Sequence, residues 1–144
     1  MAAHKLLTAL LFSAASSLAL AAPVSYLTVD HSSATLMDKA GADAVFKAAV
    51  PQKLAARLAK LYPVGRFGFI TQVEGGFTEA KTCVVTARAM LVPRSGKALV
   101  FTPRKSAMAF DAQANASQQQ CKDLAAAKLK EAIDSVLSSL VATN

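Results

Sequence analysis

The residues of this 144-residue chain best equipped for chemistry are its two cysteines, Cys83 and Cys121. A thiol can attack an electrophile, ligate a metal or join a second thiol in a disulfide. Cys83 stands in TEAKTCVVTARAMLVP, Thr78 to Pro93, the longest β-like run. Every second residue from it is apolar: Cys83, Val85, Ala87, Ala89 and Leu91. Such alternation marks the core-facing side of a strand. Cys121 opens an amphipathic stripe with Ala125, Leu129, Ala132, Ile133, Val136, Leu137 and Leu140. If that helix packs on that strand face, the two thiols meet. The placement predicts a Cys83–Cys121 disulfide closing a loop of about 40 residues, a constraint of about 4 kcal/mol in the chain-entropy model. The competing reading is a reactive Cys121, because a helix N-terminus lowers a thiol pKa. No Cys-x-x-Cys motif supports it.

Other chemistry is thinly supplied. Once a leader carrying His4 is removed, His31 is the only histidine. A zinc site would have to gather it with both cysteines and a carboxylate, without the paired ligand spacing of structural zinc. No metal or cofactor is expected. DHSS, Asp30 to Ser33, holds the residue types of a Ser–His–Asp triad, but a triad needs groups that face one another in space. Neighbours on one short segment read instead as polar turn residues before a helix. The nine carboxylates are scattered; an acid–base pair such as Glu79 with Asp111 has nothing specific behind it. The glycines fit neither the dinucleotide fingerprint nor the phosphate loop.

Binding surfaces are better represented. Lys53, Arg57 and Lys60 recur at helical spacing and form a basic stripe. Arg94 and Lys97 fall in one turn, Arg104 and Lys105 in the next. Consecutive turns of a meander lie at opposite ends of the sheet, so the four are not expected to form one compact patch. Arg88 interrupts the second face of the Cys83 strand and reads as exposed, against a buried ion pair with Glu79 or Asp111. On that same face Val84, Met90 and Val92, with Ile70, would form an apolar patch if no helix covers them. Such patches often bind partners. The expected surface is therefore Val84, Arg88 and Met90, with the Lys53–Arg57–Lys60 stripe as a second one.

These residues must be positioned by elements legible in the sequence. MAAHK and the apolar LLTALLFSAASSLAL, ending in ALA, match a secretory signal peptide. Cleavage after Ala21 avoids placing Pro23 directly behind the scissile bond. It leaves 123 residues of formal charge +6, expected to fold as one α+β domain over 22–144. Export puts the cysteines in an oxidising compartment, periplasmic or extracellular.

Val24–Asp30 alternates as a short strand. Thr35 and Asp38 resemble a helix start. Leu36 to Leu61 reads as helix, and Pro51 demands a joint near Val50, because a proline within a helix costs about 3 kcal/mol. Strands follow at 67–73, 77–92, 98–102 and 106–111, with EGG, Glu74 to Gly76, as a hairpin turn. SQQQ at Ser117 is a capping box opening the last helix. The expected architecture is two-layer: an antiparallel three- to four-stranded meander with the N-terminal helices and a long C-terminal helix on one face.

This profile favours an exported binding or accessory protein, an envelope adaptor, inhibitor or assembly factor, over an enzyme. The alternative is a small secreted hydrolase with a carboxylate-based site. The partners it points to are an envelope protein or an anionic envelope surface. Nucleic acid is disfavoured, since there is no Trp and no basic run interleaved with aromatics.

Overall fold

A computed structural model describes residues 23–142, so the expected leader lies outside the described residues. The order is β1 (Leu27–Asp30), α1 (Lys39–Ala49), α2 (Gln52–Leu61), β2 (Phe67–Phe77), β3 (Thr82–Ser95), β4 (Ala98–Leu99), β5 (Lys105–Ala114) and α3 (Gln118–Val141). The chain is α+β, with the helices on one face of a curled sheet.

Local signals set most boundaries. Asp38 caps α1 by accepting from the Gly41 N–H at 2.7 Å, so the cap is Asp38 and not Thr35. Pro51 separates two helices, with Val50 closing α1. Ser117 opens α3 with both bonds of the capping box: Gln120 N–H to Ser117 Oγ, and Ser117 N–H to Gln120 Oε1.

The sheet differs from a pure meander in three places. β1 runs parallel to β2, with Leu27 opposite Gly68 and Asp30 opposite Thr71. A parallel pair needs a crossover connection, and α1–α2 provide it. EGG is not the hairpin turn. β2 continues through it to Phe77, opposite Cys83, and the chain reverses over Thr78–Lys81 instead. Gly75 and Gly76 have φ of 132° and 148°, and a Cβ on Gly75 would lie 2.0 Å from the Val84 carbonyl oxygen. These glycines let two strands approach; they do not turn the chain. Finally, the expected strand at 98–102 shrinks to two residues. Ala98 and Leu99 pair with Ser95 and Arg94, while β5 pairs with Thr82–Leu91. Between these ladders the returning chain bulges out, and Pro103, with no N–H, cannot join one.

The main core lies between sheet and helices. Cys83, Val85, Ala87, Ala89 and Leu91 of β3 are buried there, with Phe69 and Val73 of β2 and the whole apolar stripe of α3. Tyr26 and Phe46 close on Phe69 at ring-centroid distances of 5.2 and 4.9 Å. A second, smaller core sits on the opposite face. Ile70, Met90 and Val92 are buried there beneath Val29 and Leu99. Gly68 makes room for this cover, since a Cβ on it would lie 2.6 Å from Leu99 Cδ2.

Candidate binding face

Cys83 and Cys121 are joined in a disulfide with Cα atoms 5.7 Å apart, and both are buried. Their chemistry is spent on holding α3 to β3. The DHSS segment is likewise structural. The Asp30 carboxylate accepts from the Ser32 and Thr71 hydroxyls at 2.7 and 2.8 Å. The Ser32 oxygen accepts from the Val73 N–H, and the His31 N–H bonds the Thr71 carbonyl. These contacts stitch the segment along β2, while the His31 side chain stays exposed.

The carboxylates are mostly engaged close to home. Asp43 accepts from Lys39 and Thr28. The Lys39 hydrogen bond holds its carboxyl below the usual range, against the opposing effect of partial burial. Asp111 takes the N–H of Ala112 and lies 3.3 Å from Lys128, and these contacts, the backbone bond first, lower its pKa. Lys128 is raised in turn, by Glu131 first and then by Asp111. Glu79 lies in the exposed β2–β3 turn. Among the described residues no group of three or more His, Cys, Asp or Glu is placed to hold a metal ion.

One cleft of about 600 Å³ runs between β1 and the α1–α2 joint, lined in part by Tyr26, Asp43, Phe46, Lys47 and Gln52. Several of its polar groups are already engaged. The Tyr26 hydroxyl donates to the Tyr62 carbonyl at 2.7 Å, and burial pushes its pKa up to about 12. The Gln52 amide spans the N–H and C=O of Val24.

The outer face of the sheet presents a different surface. Arg88 stands opposite Gln72 on β2 and Met108 on β5; Thr86 stands opposite Glu74 and Phe110; Val84 stands opposite Gly76 and Ala112. Arg88 is half-buried, and among the described residues it makes no ion pair. Asp111 belongs to the other face, opposite Val85, which removes it as a partner for Arg88. Gln72 donates to Glu74 beside Arg88. Along β5, Phe110 is 77% and Met108 53% exposed, although both are large and apolar.

Met90 is a correction to the expected surface. It is 1% exposed and sits in the second core with Ile70 and Val92, because Val29 and Leu99 fold over it. Of the expected patch, Val84 and Arg88 remain accessible, both half-buried. Phe110 and Met108 are the residues that periodicity missed as surface. Their alternation with Ala107 and Ala109 shows a two-sided strand but not which side is covered. Lys53, Arg57 and Lys60 are all exposed on α2, and among the described residues none is ion-paired.

The basic turns also fall differently from expectation. Because β4 is so short, Arg94 and Lys97 share one end of the sheet with Arg104 and Lys105: Arg94 pairs with Leu99 and Lys105 with Leu91, three residues apart on β3.

No protein-family model matches this chain, and no curated protein does. Among solved structures it is similar to a chain from Caulobacter crescentus CB15 described as a "putative lipoprotein", at 12% identity over 80% of this chain and 86% of that one, with a TM-score of 0.39. Among the described residues no helix is long and apolar enough to cross a membrane.

Proposed function

We propose that this is an exported accessory protein that works by binding a protein partner of the cell envelope through the outer face of its sheet. The observation that carries the reading is Phe110, 77% exposed beside 53% exposed Met108 on a face that none of the described helices covers. Large apolar side chains grouped on a surface favour burial against a partner, at roughly 25 cal/mol per Å². Arg88 and Thr86, directly across the ladder, add a cation and a hydroxyl to that apolar strip. The disulfide supports export, since such bonds persist in oxidising compartments. In the β1–α1–α2 cleft the Tyr26 hydroxyl and the Gln52 amide are already committed to backbone groups, which favours binding over catalysis.

The test is comparative capture from the protein's own envelope. Wild type, Phe110→Ser, Arg88→Glu and Lys53→Glu are tagged and crosslinked in parallel. The expected result is one partner held by wild type and Lys53→Glu and lost from both outer-face variants. Retention by Phe110→Ser and Arg88→Glu, with loss from Lys53→Glu, would move the site to α2. The envelope location has its own check: the amino terminus of the exported protein should be Ala22.

A further inference from the structure

We propose that the end of the molecule formed by the β3–β4 hairpin, the bulge at 100–104 with the first residue of β5, and the start of β2 is a docking surface for an anionic lipid bilayer. It lies apart from the Arg88–Phe110 face and does not depend on that reading.

The surface combines unpaired cations with apolar side chains pushed outward. Lys97, Arg104 and Lys105 are exposed there, and Arg66 joins them because its carbonyl accepts the Arg94 N–H at 2.7 Å. Among the described residues none of these four cations makes an ion pair. The surrounding sequence keeps negative charge away: no Asp or Glu occurs from 44 to 73 or from 80 to 110. Between the cations, Phe101 is 62% and Val100 42% exposed.

The projection is built rather than loose. Leu99 is turned inward against Gly68, at the rim of the second core. The bulge is pinned at both ends, by the Val100 N–H on the Pro93 carbonyl and the Arg104 N–H on the Leu91 carbonyl, at 2.9 and 2.8 Å. The Arg94 guanidinium is used internally, donating to the carbonyls of Gly96 and Val64, and so ties the hairpin to the segment before β2. This scaffold holds Phe101 and Val100 in water while the neighbouring cations stay free. With Arg66, Lys97, Val100, Phe101, Arg104 and Lys105 all exposed, the tip offers a surface rather than an enclosing cavity. It suits a surface that offers negative charge outside and apolar depth beneath, which is the chemistry of an anionic bilayer. Cations near such a surface each strengthen binding about fivefold, and an inserted aromatic adds apolar burial.

The chain has no Trp, so Phe101→Trp supplies a single emitter at the tip. The experiment uses the chain from Ala22 onward, which contains every described element, with phosphatidylglycerol vesicles and with phosphatidylcholine vesicles. The expected result is cosedimentation with the anionic vesicles only, weakening steeply as salt is raised. Phe101→Trp emission should shift to the blue, while a Phe110→Trp control stays unshifted. Replacing Lys97, Arg104 and Lys105 together by Gln should lower the partition coefficient about 100-fold, with an unchanged circular dichroism spectrum. Salt dependence and the emission shift need no charge variant, so misfolding of the triple variant leaves the test intact. Equal binding to both vesicle types, unshifted emission from vesicle-bound Phe101→Trp, or binding to a single-stranded oligonucleotide without binding to vesicles would each overturn the proposal.

Discussion

Cys83 and Cys121 meet across the layer boundary, Cα to Cα 5.7 Å, so the first turn of α3 is bolted to the first residues of β3. The bond closes a loop spanning 38 positions of sequence. In the chain-entropy model that constraint is worth about 4 kcal/mol against the unfolded state. Removing both sulfurs, in Cys83→Ala with Cys121→Ala, should lower the unfolding free energy by about that amount. The denaturant midpoint reads the loss, and the slope should rise, because the unlinked denatured chain is less compact and exposes more surface. A thiol count on the unreduced, denatured protein should be zero.

Gly75 carries a different constraint. A Cβ there would meet the Val84 carbonyl oxygen at 2.0 Å, whereas one on Gly76 meets nothing within 4 Å. Both residues have positive φ, so Ala at either strains the backbone by about 1–3 kcal/mol. Gly75→Ala must also push β2 and β3 apart. It should cost clearly more than Gly76→Ala, a difference measurable by thermal unfolding of the two variants side by side.

That pair also shows what the sequence could and could not convey. Glu74-Gly75-Gly76 has the composition of a turn, and the local signal is the same whether glycine serves a reversal or a close approach. Only the partner strand decides between them. Signals complete within a few residues were legible: the Ser117–Gln120 box, the break at Pro51, and the inward alternation that placed Cys83 under α3. What was not legible depends on distant segments. Nothing near Leu27 says that β1 adds in parallel to β2. Nothing near Met90 says that Leu99 will cover it. The alternation of β3 identified its inward face, but the exposed apolar side chains of the outer side lie on β5 around Phe110, not at Met90.

The distinction between those two residues is testable. Met90 is 1% and Phe110 77% exposed. Met90→Asp buries a carboxylate in the Ile70–Val92 cluster and removes its filler. The expected cost is about 3–5 kcal/mol, enough to unfold a marginal domain. Phe110→Ser removes a side chain that is mostly in water and should stay within about 0.5 kcal/mol of wild type. Chemical denaturation of both variants checks the prediction. Met90→Asp with native stability would mean that the second core is open.

Tyr26 gives the fold a signature at high pH. It is 7% exposed, its hydroxyl donates to the Tyr62 carbonyl at 2.7 Å, and burial raises its pKa from 10.0 to about 12. The neutral phenol is therefore the form the folded state favours. Its contribution is whole below pH 10, where folded and unfolded chains are both protonated, and it is lost as pH rises from 10 towards 12. In Tyr62→Phe, which keeps the accepting carbonyl, Tyr26 is the sole phenol of residues 23–142. Phenolate absorbance should then titrate near 12 in the folded protein and near 10 in denaturant. Tyr26→Phe should flatten the loss of stability between those pH values. A folded-state midpoint near 10 would show that the ring is open to water, and with it the cleft between β1 and the α1–α2 joint.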